Sequence, residues 1–230
     1  MSTRPPYASG VPDAIAFYFD PLCPWCFLTS KWVHRLVELG EVDVVDWRFL
    51  SLELVNGADT TFEAAAEMRS APALRTAALL RREHDASSVG DFYRCLDDRF
   101  WGPEYYGAML SEPDALRRAL SEAGLDPGLY DKALADSTTL DDVMLSHREV
   151  VDDVQAFGVP TIRLDGGDGP AIFGPVVSCV PSDEEAVELW RHVAWLTRSD
   201  NFWELKRHRA VEPDLDGYRV RKAKAAQRAT

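Results

Sequence analysis

The sequence predicts an α/β protein whose sheet is interrupted by a long helical insertion. Three observations predict it. A strand pattern runs directly into a helix at Cys23-Pro24-Trp25-Cys26, a second strand pattern follows soon after, and the next strand-turn-strand arrives only beyond residue 157, with helical patterns filling the interval. At 230 residues, 46% hydrophobic and 27% charged, the chain has ample core for one enlarged domain.

Ala14-Ile15-Ala16-Phe17-Tyr18-Phe19 is aromatic and branched, lacks Gly and Pro, and stops at Asp20-Pro21, as a buried strand does. The helix that follows puts Leu28, Trp32, Leu36 and Leu39 on one face and meets a stop at Gly40. Val42 to Leu50 reads as the second strand. In the insertion, Phe62 to Glu83 reads as two helices broken near Pro72, and Asp91 to Trp101 as another. Ser111-Glu112-Pro113-Asp114 and Thr138-Thr139-Leu140-Asp141 have capping-box form, and Asp126-Pro127 is a cap followed by proline at the first helical position. Ile162-Arg163-Leu164, the turn cluster Asp165 to Gly169 and Ala171-Ile172-Phe173 form a hairpin pattern. A last helix opens at Ser182-Asp183-Glu184-Glu185 and turns Val187, Leu189, Trp190, Val193, Ala194 and Leu196 inward.

The chemistry concentrates at the first strand-to-helix junction. A thiolate is the nucleophile in disulfide exchange, and a sulfur at a helix N-terminus faces unpaired N–H groups and the positive end of the macrodipole. Cys23 is therefore the expected attacking thiol, with a moderately lowered pKa. Cys26, one turn on, is the expected resolving thiol, able to break a mixed disulfide formed at Cys23. Pro24 suits the first helical turn and stiffens the loop. The competing readings are an inert disulfide and half of a zinc site. Zinc needs about four ligands, and the chain adds only the isolated Cys95 and Cys179, with no His pair at ligand spacing, so no metal is expected.

With Gly158-Val159-Pro160-Thr161 upstream of the hairpin, the chain resembles the thioredoxin superfamily, in which such a segment carries a cis-proline packed on the active-site disulfide. The resemblance places Pro160 beside Cys23 and Cys26, and a cis bond there would leave the backbone of Val159 free to pair with a substrate. The order β-α-β, helical insert, β-β-α resembles the DsbA-like branch, a thioredoxin-like fold with an α-helical lid. Residues 1–55 and 156–216 are then the thioredoxin-like domain, 56–155 the lid, and 217–230 a basic, disordered tail. Within that branch the chain is similar to the actinobacterial mycothiol-dependent nitroreductases over most of its length. The likeness rests on Phe19 to Cys26, Ser51-Leu52 with Asn56, Gly158 to Ile162, Phe173-Gly174-Pro175-Val176 and Phe202 to Arg207, and it departs over Gly57 to Thr61. It implies a Cys nucleophile, reduction by mycothiol or a redoxin, and a lid closing over the site.

The formal net charge is −13, and the five tail cations Arg219, Arg221, Lys222, Lys224 and Arg228 leave −18 on the first 216 residues. Such a body repels nucleic acid. The first residues lack an apolar leader and no uncharged stretch approaches a membrane span, so the expectation is a cytoplasmic protein without membrane partner, where thiols serve catalysis rather than crosslinking.

Asp20 reads as a strand-ending structural residue ahead of a proton acceptor. Asn56 is read either as a hydrogen-bond donor to substrate or as a turn residue. Trp25 is expected to be partly exposed, with a face able to stack on a flat ligand, and Thr161 to line the substrate site with Val159 and Pro24. Cys179 reads as a buried, inert thiol, and the five histidines as surface or core residues.

The function expected is a thiol-disulfide oxidoreductase without a tightly bound cofactor. Mycothiol or a redoxin is its reductant, its substrate a protein disulfide or a small electrophile such as a nitroaromatic, and a homodimer is left open. The competitors are a thiol-dependent isomerase or transferase similar to the kappa class, and a non-catalytic binding or holdase protein with a vestigial motif.

Overall fold

A computed structural model describes residues 12–57, 61–102 and 112–228. Ser111 of the expected capping box, and residues 58–60 of the segment departing from the family pattern, lie outside the described residues.

β1 (Asp13–Phe19) is followed by α1 (Pro24–Glu38), β2 (Val42–Phe49), α2 (Leu52–Asn56), α3 (Phe62–Ala66), α4 (Ala71–Glu83), α5 (Ala86–Phe100), α6 (Pro113–Glu122), α7 (Leu129–Ala135) and α8 (Thr138–Val154). β3 (Thr161–Leu164), a short 3-10 turn, β4 (Ala171–Phe173), α9 (Asp183–Thr197) and α10 (Asp216–Arg228) complete the chain. The sheet order is β2-β1-β3-β4, with β1 parallel to β2, and β3 antiparallel to both β1 and β4. Phe17 pairs with Trp47 and with Ile162, so β1 is the central strand between β2 and β3. Ile15 to Phe19 are all buried, so residues on both faces of the strand are enclosed and it reads as a continuous apolar run.

On one face, Phe17 and Phe19 meet Trp47, and Phe19 stacks on Tyr93 of α5 with ring centroids 4.1 Å apart. α5 belongs to the inserted segment, so the insertion shares one core with the sheet. α1 meets this cluster through His34 and Phe27 and also packs on α9, where the Trp32 indole N–H donates to Ala186 O at 3.1 Å and its ring lies 6.0 Å from that of Trp190.

Helix starts and stops follow local chemistry. α1 ends where Gly40 adopts φ 74°, a conformation glycine takes without steric cost. Pro72 sits in the first turn of α4, and Ser182 with Glu185 closes the capping box of α9. Two caps differ from expectation. α8 starts after Ser137, and the carboxyl of Asp136 accepts from Thr138 N at 2.9 Å, so Asp136 supplies the cap that Thr138 was expected to provide. α7 starts after Gly128, whose N–H donates to Asp126 at 2.8 Å. On α9, Ala186 and Thr197 join Trp190, Val193 and Ala194 in the buried set, while Val187, Leu189 and Leu196 are only half-buried.

The expectation of a disordered basic tail is corrected: residues 216–228 are helical. Charge composition missed the anchors. Leu215 is buried, Tyr218 lies 6.5 Å from the Trp101 ring, Gly217 N donates to Trp101 O at 2.7 Å, and Arg219 and Lys222 pair with Asp214, Asp216 and Glu212 just upstream. A Cβ on Gly217 would lie 2.2 Å from Trp101 O. Gly217→Ala is thus expected to undock α10 at a cost of about 1–2 kcal/mol, read as faster proteolysis within residues 216–228 with the rest of the chain protected.

Candidate redox site

Cys23 is the N-cap of α1, with extended φ −98° and ψ 107°. Its Sγ accepts from Cys26 N at 3.3 Å, the position of a capping oxygen, and Phe27 N donates to its carbonyl at 3.1 Å. Pro24 occupies the first turn, where no N–H is required. Both thiols are free and buried. The Cys23 thiol donates to Val159 O at 3.6 Å and the Cys26 thiol to Tyr18 O at 3.8 Å.

The Val159 contact brings the distant loop onto the motif. The Val159–Pro160 peptide bond is cis, and so is Gly174–Pro175. Gly174 N donates to Pro160 O at 2.8 Å, and the Thr29 hydroxyl of α1 reaches Pro175 O at 2.8 Å, so both proline loops are stitched to the helix that carries the thiols. Thr161 is buried and its hydroxyl donates to Gly158 O at 2.8 Å, which leaves backbone rather than hydroxyl to face a ligand.

The expected acidic Cys23 is overturned. Burial pushes its thiol up to about 12, outweighing the N–H contacts from Cys26 and Trp25 that favour the anion, and the Asp20 and Asp97 carboxylates add repulsion. Desolvation disfavours S⁻ more than one helix terminus stabilises it, because Cys23 is only 8% exposed. Cys26 is also held well above the ordinary thiol range, by burial and then by Cys23. Iodoacetamide alkylation of Cys23, in a Cys95→Ala, Cys179→Ala background, is therefore expected to keep rising through pH 10 (roughly tenfold per pH unit below the pKa). A plateau below about pH 8 would contradict this.

Asp20 is fully buried, and its two oxygens accept from Leu22 N at 2.9 Å and Leu52 N at 2.7 Å, tying the loop before Cys23 to the start of α2. Burial raises its carboxyl to about 6 against those two bonds. Ser51 caps α2 through Leu54 N and donates to Met68 Sδ. Asn56 is exposed at the end of α2 and its amide donates to Leu52 O at 2.7 Å, so its donor is used within the helix. Trp25 is half-exposed, and Arg209 lies 5.2 Å over its ring, occupying one stacking face from the C-terminal segment. Cys179 is exposed, which corrects its reading as a buried thiol: it lies in the loop between β4 and α9, beyond the core that those elements close.

Tyr93 and Asp97, one turn apart on α5, escaped the sequence reading. Both are fully buried. The Tyr93 hydroxyl lies against the Cys26 sulfur and, with the Trp101 indole, faces the Asp97 carboxyl. Neither the Tyr93 hydroxyl nor either Asp97 oxygen closes a hydrogen bond of full geometry. Burial raises the Asp97 carboxyl well above the usual carboxylate range and the Tyr93 hydroxyl well above its own. The available signal was an acid on the face that also carries Tyr93, Leu96 and Phe100. His34, stacked on Trp47, and His147, which accepts from Ser51 N at 3.3 Å, are kept neutral chiefly by burial. Among the described residues no group of three or more His, Cys, Asp and Glu is arranged to hold a metal ion, and no helix is long and apolar enough to cross a membrane.

The chain's fold is similar to that of the cytosolic disulfide reductase DsbM from Pseudomonas aeruginosa with GSH, at 16% identity and TM-score 0.54 over 78% of this chain and 98% of that one. A putative protein disulfide isomerase from Nitrosomonas europaea matches at 12% identity and TM-score 0.53, over 79% and 98%. These likenesses show the thioredoxin-like, DsbA-like fold. The class so defined is a DsbA-like fold that carries two free thiols at the N-terminus of α1. Residues 22–207 match the Rv2466c-like family, described as mycothiol-dependent nitroreductase Rv2466c, and the chain belongs to that family. It is also 34% identical over 219 residues to the uncharacterized protein Rv2286c of Mycobacterium tuberculosis, covering 88% of this chain and 90% of that protein.

Proposed function

We propose that the protein is a cytoplasmic thiol-disulfide oxidoreductase in which Cys23 attacks and Cys26 resolves, with mycothiol or a redoxin as reductant. One observation carries the reading: the Cys23 sulfur caps α1 while donating to Val159 O at 3.6 Å, so nucleophile, helix terminus and proline loop meet at one point. A substrate strand pairing with Val159 would displace that contact and open Cys23 to solvent, removing part of the desolvation that holds it protonated. In each turnover two thiols become one disulfide, and two electrons and two protons pass to the substrate.

The substrates are a protein disulfide or a small electrophile such as a nitroaromatic. Family membership and the half-exposed Trp25 ring beside the thiols support the small electrophile. Pro24, Trp25, Val159 and Thr161 frame the approach, Pro160 shapes it, and Asn56 lies at its edge. Residues 1–55 and 156–216 form the thioredoxin-like unit and 56–155 the lid. A reducing compartment favours reduction over oxidation as the working direction.

The test is stopped-flow oxidation of the reduced protein by mycothiol disulfide, a protein disulfide and a nitroaromatic in parallel. Fast, saturable oxidation by at least one is expected. Equal slowness with all three would end the oxidoreductase reading and favour a holdase.

A further inference from the structure

We propose that Tyr93 and Asp97 form the proton route for Cys26, carrying its proton into the helical insertion while the disulfide opens and closes. This rests on the oxidoreductase reading above and adds to it the means by which a fully buried resolving thiol changes protonation state.

The need is set by burial. Cys26 is completely enclosed, so solvent cannot take its proton directly, and its thiol otherwise touches the carbonyl of Tyr18, which is not a base. Of the two buried carboxyls near the motif, Asp20 is committed, one oxygen to Leu22 N and the other to Leu52 N. Asp97 is not: neither of its oxygens has a hydrogen bond of full geometry, and the Tyr93 hydroxyl stands between it and the Cys26 sulfur. A buried acid met only by the loosely aligned Tyr93 hydroxyl and Trp101 indole costs stability, so one aimed through a hydroxyl at a reacting sulfur calls for a functional account. Tyr93 is held in place by stacking on Phe19 and by an edge contact with Phe27, 6.3 Å away on α1, so the hydroxyl keeps its station as the sulfurs react.

On oxidation, in molecules whose Asp97 carboxyl is ionised, Cys26–SH passes its proton to the Tyr93 hydroxyl as that hydroxyl passes its own to Asp97. The Cys26 sulfur then attacks Cys23, the bond between Cys23 and the departing thiol breaks, the Cys23–Cys26 bond forms, and the thiolate released takes a proton from solvent. On reduction, a thiolate attacks Cys23, the Cys23–Cys26 bond breaks, and the Cys26 thiolate receives the proton stored on Asp97 by the reverse path. An acid held above the usual carboxylate range serves both directions, since it can keep a proton near neutrality and still release it. Tyr93 touches the reacting sulfur, and Asp97 acts through it. The ionisable and polar groups facing Asp97 are Cys23 and Cys26 from α1, Asp20 from the preceding loop, and Tyr93, Asp98 and Trp101 from its own helix and cap.

The experiment mixes reduced protein, in a Cys95→Ala, Cys179→Ala background, with 5,5′-dithiobis(2-nitrobenzoate). The first aryl thiolate released reports attack by Cys23, the second reports closure by Cys26. With Asp97→Asn and with Tyr93→Phe, the second release is expected to slow by about tenfold or more with an altered pH profile, and the first to stay within about twofold. Wild-type rate and pH profile for the second release in either variant would overturn the proposal, as would equal slowing of both phases, the mark of a structural defect. If the unsubstituted background protein itself gives no second release, the oxidoreductase reading fails and takes this proposal with it.

Discussion

Cys23→Ser is expected to lower thiol-dependent turnover by on the order of 10⁴-fold or more, whereas Cys26→Ser is expected to keep the first attack and lose the second. The asymmetry follows from placement. Only Cys23 stands at the α1 terminus against Val159 O, at 8% exposure, while Cys26 is completely enclosed. A substrate therefore meets Cys23 first. Once the mixed disulfide forms in Cys26→Ser, a hydroxyl cannot displace it, and a stable adduct of substrate thiol mass should appear on intact-protein mass spectra. An isomerase of the kappa-class kind, which opens no disulfide, would keep most of its activity in Cys26→Ser and accumulate no adduct. Full turnover in Cys23→Ser would remove the nucleophile from the account altogether.

The parts of this site that were legible in the sequence are those set by local chemistry. A strand ending at Asp20-Pro21, a proline in the first helical turn and Gly40 at φ 74° fix where α1 begins and ends, and with them the capping position of Cys23. The encounter of Cys23 with Val159 was legible only through resemblance, since Val159-Pro160-Thr161 alone occurs in many loops. What stayed hidden depends on tertiary enclosure. The dipole of α1 can be anticipated from the chain, but the desolvation that reverses its effect on Cys23 arises from what packs around the thiol. Asp97-Asp98 looks like a solvated helical pair; α5 buries the first against Tyr93 and leaves the second exposed to pair with Lys31. In the tail, five cations masked Leu215 and Tyr218, which dock α10 onto Trp101 and the core.

Asp97→Asn is expected to stabilise the protein relative to wild type at neutral pH, and to do so far less at pH 4. The sign follows from proton binding. In the unfolded chain the carboxyl ionises near its ordinary value of 3.8, while burial keeps it protonated to a well higher pH in the folded protein. Between those values the unfolded state sheds a proton that the folded state retains, so stability falls as pH rises and levels off above the folded value. Asp20, raised to about 6, acts in the same direction, and its shift amounts to roughly 3 kcal/mol lost between about pH 4 and 6. His34 and His147, with lowered values, act oppositely and cost stability as pH falls through the range below 6.5. The absolute pH–stability curve mixes these contributions. The difference between wild type and Asp97→Asn isolates one group, and urea unfolding of both proteins from pH 4 to pH 8 measures it. A variant less stable than wild type at every pH would mean that Asp97 is a satisfied structural residue. A variant that gains stability toward neutral pH while losing speed only in disulfide closure would show the cost of a buried acid maintained for the proton it carries.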